Sequence, residues 1–173
     1  MATAFGLVMA SDWHNVSMHV RDFSEDELLG LIRPHLPRAE GIEVPSGDDC
    51  AVIGLAADSV AISTDMLVEG SHYRPEWSTG YDVGWRAAMQ NAADAAAMGA
   101  RPVSFVAALS VPGDRDVEWL VEFARGMGQA ARRFGAGVDG GDLTRGPATA
   151  GVTVVGDLSG RPPVLRSGAR PGD

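Results

Sequence analysis

Ala61-Ile62-Ser63-Thr64-Asp65-Met66-Leu67-Val68-Glu69-Gly70-Ser71-His72 is the stretch on which the fold turns. It opens as an apolar strand and then sets a serine, a threonine and an aspartate side by side. Three oxygen-bearing side chains at a strand end suit a hard cation without completing its shell, since Mg²⁺ takes about six oxygens at roughly 2.0–2.1 Å. On a regular strand Ser63 and Asp65 face one side and Thr64 the other. A single metal cluster uses all three only where the strand bends or a backbone carbonyl joins in. Further ligands, and a surface for phosphate, must come from elsewhere in the chain.

Just upstream, Cys50 to Leu55 reads as a strand, Asp58 as a turn and Val60 to Met66 as the next strand. Two apolar runs this close suggest a hairpin. That pairing would bring Asp48 or Asp49, from the turn Ser46-Gly47-Asp48-Asp49, beside Asp65. Earlier still, Ser24-Glu25-Asp26-Glu27 forms a capping box ahead of the stripe Leu28, Leu29, Leu31, Ile32 and Leu36. Pro34 and Pro37 limit that helix. Residues 1–22 carry little pattern and read as a disordered tail.

Downstream, Thr79 or Ser78 caps a long Ala-rich helix to Met98, with Asp82 in its first turn and Gly99 as C-cap. Asn91 and Asp94, three apart, share a face of it. Val103 to Val111 is a strand. Asp114 then caps a helix whose apolar face runs from Val117 to Phe134 and which Gly135 and Gly137 end. Val138-Asp139-Gly140-Gly141-Asp142 reads as a Gly-rich turn, and Val152 to Leu158 as the last strand. Strands and helices interleave without a strict βαβ repeat, which predicts an α+β layer fold. The expected organisation is a tail over 1–22, one domain over 23–160 and a Pro-containing linker over 161–173.

Composition bounds the chemistry. A chain of 173 residues, 45% of them hydrophobic, is long enough for one domain with a real core. The formal net charge of −9 opposes binding to nucleic acid or an anionic membrane, and no run is long enough to span a bilayer. The single cysteine, Cys50, rules out an internal disulfide and suits a reducing cytoplasm. All 14 basic residues are arginine. Without lysine there is no P-loop of the GxxxxGK[ST] type and no lysine base or Schiff base. Any phosphate must be held by metal, arginine or backbone N–H groups. The four histidines show no ligand spacing for zinc.

Four acidic stations remain: Asp48/Asp49, Asp65, Asp94 and Asp142. Each alone reads as a turn, a polar strand end or a solvated helix face. Three of them sit at expected strand ends and the fourth on an Ala-rich helix face, so they have reason to converge. Carboxylates held together repel unless neutralised, and a convergent set therefore implies bound cations. Gly140-Gly141-Asp142-Leu143-Thr144-Arg145-Gly146 offers backbone N–H groups to a phosphate.

These segments resemble a known family. Gly47-Asp48-Asp49-Cys50-Ala51, Ser63 to His72, Asn91 to Ala100, Gly140 to Gly146 and Arg166-Ser167-Gly168-Ala169-Arg170-Pro171-Gly172-Asp173 match it in order. Together they resemble the N-terminal half of thiamine-monophosphate kinases, in the aminoimidazole ribonucleotide synthetase-like superfamily. The resemblance implies a PurM N-terminal-domain-like fold, a mixed sheet with helices on one face, whose sheets pair across a homodimer. It implies transfer of the ATP γ-phosphoryl group onto thiamine monophosphate, giving thiamine diphosphate. Asp49, Ser63, Thr64, Asp65, Asp94 and Asp142 would ligate Mg²⁺, with Asp48 assisting. Gly141, Asp142 and Arg166 would meet ATP, His72 would contact the substrate, and no catalytic group beyond the metal cluster is implied. Family members continue past Pro171-Gly172-Asp173 into a second domain, so this part alone is expected to fold and bind Mg-nucleotide without full turnover. Two other readings stand beside it: a sibling ATP-dependent synthetase, with the same metal site but a different acceptor, and a non-catalytic dimerisation or metal-nucleotide-binding module. Selenophosphate synthetase is disfavoured, because its N-terminal cysteine or selenocysteine with a nearby lysine is missing.

Overall fold

The computed structural model describes residues 18–45, 52–54 and 59–172. Its organising element is a four-stranded mixed sheet in the order β3-β6-β4-β5. Strand β3 (Val60–Val68), β4 (Arg101–Val111), β5 (Gly137–Arg145) and β6 (Thr149–Asp157) make it up. β6 runs antiparallel to both β3 and β4, and β4 pairs with β5 in parallel. Helices α2 (Gly80–Ala97) and α3 (Val117–Arg132) pack together beneath one face, and α1 (Glu25–Ile32) packs against α3. A separate two-stranded ladder joins β1 (Ile42–Val44) to β2 (Val52–Ile53). The expectation of an α+β fold with helices on one side of a mixed sheet holds.

The pleat decides which residues the helices cover. Phe105, Ala107, Leu109 and Val111 of β4 and Ala150, Val152 and Val154 of β6 point toward the helices and are buried. Ala88, Ala92 and Ala95 of α2 and Leu120, Phe123 and Met127 of α3 share one buried cluster with them. The two helices approach so closely that a Cβ at Gly84 would overlap the Phe123 carbonyl, and one at Gly126 would overlap the Tyr81 carbonyl. Glycine is required at both places by space, since any side chain would collide with backbone.

Helix ends follow the local signals. Ser24 and Glu27 bond reciprocally, with Ser24 N–H donating to Glu27 Oε2 at 2.8 Å. Thr79 and Asp82 do the same, Thr79 N–H donating to Asp82 Oδ2 at 2.9 Å. These contacts hold the Glu27 and Asp82 carboxyls below their ordinary range. Gly99, at φ +75°, closes α2.

Several expectations are corrected. Among the described residues the expected hairpin between the runs at 50–55 and 60–66 is not seen: β2 pairs with β1, while β3 pairs with β6 along its whole length. Helix α3 is preceded by Asp116 rather than Asp114, and its side chain makes no capping bond. Residues 138–142, read as a turn, lie inside β5. Ser63, Thr64 and Asp65 stand in the middle of β3, which continues to Val68. Of the expected tail, residues 18–22 are described and packed: Val20 is buried and its N–H donates to the Arg115 carbonyl at 2.8 Å. In the expected linker, Val164 N–H donates to the Met98 carbonyl at 3.1 Å and Arg161 to the Gly99 carbonyl at 2.9 Å.

Candidate metal and nucleotide site

Strand β3 presents two faces with different equipment. Ser63, Asp65 and Leu67 pair with Val154, Val152 and Ala150, all buried, so they face the helices. There Ser63 Oγ donates to Asp94 Oδ2 of α2 at 2.8 Å. This contact ties one acidic station, Asp94, to β3, and Asp65 follows Ser63 on the same face two residues along. Asn91, one turn before Asp94, is fully buried and donates from Nδ2 to the Ala87 carbonyl at 2.9 Å.

Thr64 stands on the opposite, outer face, directly across from Thr153. Its hydroxyl donates to the Val152 carbonyl at 3.0 Å and accepts from Thr153 Oγ1 at 3.1 Å. Asp142 shares that outer face but lies on β5, paired with Ala108 of β4. β6 and β4 separate it from β3, three strand spacings or about 14 Å. A single ion with oxygens about 2 Å away cannot bridge that gap. Asp48 and Asp49 lie outside the described residues.

After β3, Gly70 at φ +80° turns the chain so that His72 folds back on the strand end. Val68 N–H donates to His72 Nδ1 at 2.9 Å. With Nδ1 engaged as an acceptor, the neutral ring carries its proton on Nε2 and offers a donor there. Arg86 Nη1 fixes the loop by donating to the His72 carbonyl at 2.5 Å. Beside it, Arg115 pairs with Glu69 at 2.5 Å and lies over the Trp119 ring. Burial, then the Glu69 charge, pushes the Tyr73 hydroxyl up to about 12, so that group stays protonated.

Around Gly140-Gly141-Asp142 opens a cleft of about 720 Å³. Ile32, Phe123 and Met127 give it an apolar wall, and Ser104 and Asp139 a polar one. At Gly141 a Cβ would overlap the Ala107 carbonyl of the neighbouring strand. Arg166 sits in a short 3₁₀ turn (Arg166–Gly168), exposed. Ser104 and Asp139 were not singled out by the sequence. A buried acid next to two glycines looks like one more turn residue until its partners are known.

Hydroxyl and carboxylate oxygens are the hard donors Mg²⁺ takes. Among the described residues no three carboxylate, imidazole or thiol groups gather at one point. Mg²⁺ is usually held by one or two carboxylates, water and substrate phosphates. Asp65 and Asp94, with Ser63, fit that pattern.

Residues 47–158 match the family model for the AIR synthase related protein, N-terminal domain. The chain belongs to that family. Within it, the likeness is to thiamine-monophosphate kinases: the Mycobacterium tuberculosis enzyme is 46% identical over 127 residues, covering 73% of this chain and 38% of that one. The crystal structure of thiamine-monophosphate kinase from Stenotrophomonas maltophilia superposes with a TM-score of 0.62 at 32% identity, over 76% of this chain and 40% of that one. AaThiL complexed with AMPPCP and TMP gives a TM-score of 0.56 at 27% identity, over 80% of this chain and 43% of that one. The chain thus spans less than half the length of these relatives. None of its described helices is long and apolar enough to cross a membrane.

Proposed function

We propose that this chain is the ATP- and Mg²⁺-binding half of a cytoplasmic thiamine-monophosphate kinase. The observation that carries the reading is the Ser63–Asp94 hydrogen bond of 2.8 Å, which ties β3 to α2 across 31 residues with Asp65 on the same strand face as Ser63. Likeness to the kinases supports the choice of acceptor. In such a site Asp65 and Asp94, with Ser63, hold Mg²⁺, which when bound supplies charge neutralisation for the phosphates. Gly141 lets a phosphate approach backbone N–H groups without hindrance, and Arg166 adds a cation. His72 donates its Nε2–H to the acceptor phosphate. That acceptor is already ionised, so positioning and charge stabilisation suffice and no general base is needed.

Thr64 and Asp142 belong to this reading through a homodimer. The outer face of the sheet leaves Ile62 67% and Met66 56% exposed, with Val60 and Val106 also bare, and an apolar patch of this kind marks an interface. A twofold axis parallel to the strands sets β3 of one copy across from β5 of the other. Thr64 of one copy then faces Asp142 of its partner, closing a separation that one sheet cannot close. Asp49 completes the ligand set in this proposal.

Calorimetric titration with Mg²⁺ and AMPPNP, then with thiamine monophosphate, tests the reading alongside sizing. Magnesium-dependent nucleotide binding by a dimer is expected, with ADP release in a coupled assay far below that of a full-length relative. A monomer indifferent to both ligands contradicts it. Nucleotide binding without any affinity for thiamine monophosphate favours the non-catalytic module.

A further inference from the structure

The cleft wall beside Gly140 holds a carboxylate that the proposed reaction does not use. Asp139 is 2% exposed, and both its oxygens are engaged. Oδ1 accepts from Ala39 N–H at 2.9 Å and Oδ2 from the Ser104 hydroxyl at 2.5 Å. Val138 N–H donates to the Pro37 carbonyl at 2.7 Å, so the 37–39 segment is laced onto the start of β5. Gly137 has no room for a Cβ, which would overlap Ala39 N and the Asp139 carboxylate.

Register explains what the carboxylate does. Phe105 of β4 pairs with Val138, and the next residue, Val106, pairs with Gly140. Asp139 is therefore the extra residue of a β-bulge, a device that re-aims the side chains beyond it. Val138 and Leu143, five apart, would face opposite sides of a regular strand, yet both enter the core. The same shift leaves Asp142 on the outer face. An apolar residue would fill the buried position at less cost, since an uncompensated carboxylate is expensive to desolvate. Its two bonds instead single out one geometry for the bulge.

We propose that Asp139 is a positioning residue for the nucleotide–metal site: its buried carboxylate, clasped by Ala39 N–H and Ser104, fixes the bulge that aims Asp142 and the Gly141 backbone into the cleft. The proposal rests on the Mg-nucleotide reading above. Hydrogen exchange and calorimetry with Mg²⁺–AMPPNP on Asp139→Ala, Asp139→Asn, Asp142→Asn and the Asp139→Ala/Asp142→Asn pair test it.

Asp139→Ala should speed exchange of the 137–143 amides at least tenfold, leave α2 amides unchanged, and weaken Mg-nucleotide binding about tenfold. Asp139→Asn keeps an acceptor for Ala39 and a polar partner for Ser104, and should stay near wild type in both readouts. The double variant should bind no worse than Asp142→Asn alone. Losses that simply add would show a general structural role and overturn the proposal. Unchanged exchange in Asp139→Ala overturns the clasp whatever the nucleotide does. A wild-type chain that binds no Mg-nucleotide brings down the functional reading, and the positioning role with it, even where the exchange result holds.

Discussion

The two faces of the β3-β6-β4-β5 sheet differ as a lock differs from an open hand. Beneath one face, α2 and α3 press so close that glycines touch backbone, and Phe105, Val152 and Val154 are sealed. Over the other, Ile62, Met66, Val60 and Val106 stand in solvent. The covered face holds the fold together. The polar groups of interest stand at its rim, where Ser63 meets Asp94, and on the bare face, where Thr64 and Asp142 lie at opposite edges. Sealed and bare surface are thus divided between faces, and substitutions on each should read out differently.

The largest effect is expected on the sealed face. Gly84→Ala puts a methyl group into the Phe123 carbonyl, and neither backbone can yield cheaply. A loss of about 3 kcal/mol is expected in urea denaturation, the upper end of overpacking costs. An unchanged midpoint would mean that the helices are not this close.

On the bare face, Ile62→Asp with Met66→Asp should leave monomer stability within about 0.5 kcal/mol, as for other exposed substitutions. Dimer dissociation should rise roughly 100-fold, because each copy then buries two charges at the interface. Sedimentation over a concentration series separates these outcomes; equal dimerisation by wild type and variant sinks the proposed interface.

The smallest effect belongs to helix ends, remote from both faces. Thr79→Ala should cost about 1 kcal/mol by thermal melt. The Asp82 carboxyl is held below its ordinary range by Thr79, so the folded state binds this proton less readily than the unfolded one. Its contribution is present above the unfolded carboxylate range and lost as pH falls below about 4. The variant's deficit should therefore shrink at pH 3. A deficit independent of pH would remove the reciprocal cap from the account.

These contrasts also explain what the sequence made legible. Helices were readable because their signals are local: Ser24 with Glu27, Thr79 with Asp82, and Gly99 all act within a turn. Strand partners were not, because nothing near Val60–Met66 announces that its neighbour is Thr149–Asp157, some 90 residues on. An adjacent apolar run at 50–55 offered a cheaper-looking partner. Gly140 and Gly141 resembled a turn since glycine is poor in strands, yet the passing Ala107 carbonyl leaves space for nothing larger at 141. At the site, the sequence nominated Ser63 and Asp94, and the fold brings their side chains into contact. The division of Thr64 and Asp142 from Asp65 needed the pleat and the strand order, and Asp139 needed contacts 35 and 100 residues away.

In the proposed site Asp65 and Asp94 hold the magnesium of a bound nucleotide. Titrating Asp65→Asn with AMPPNP at several Mg²⁺ concentrations tests it most directly, with a melting curve as control. The account predicts at least a tenfold weaker affinity, partly recovered at high Mg²⁺, and a melting temperature within about 3 °C of wild type. Equal affinity at every Mg²⁺ concentration would contradict it.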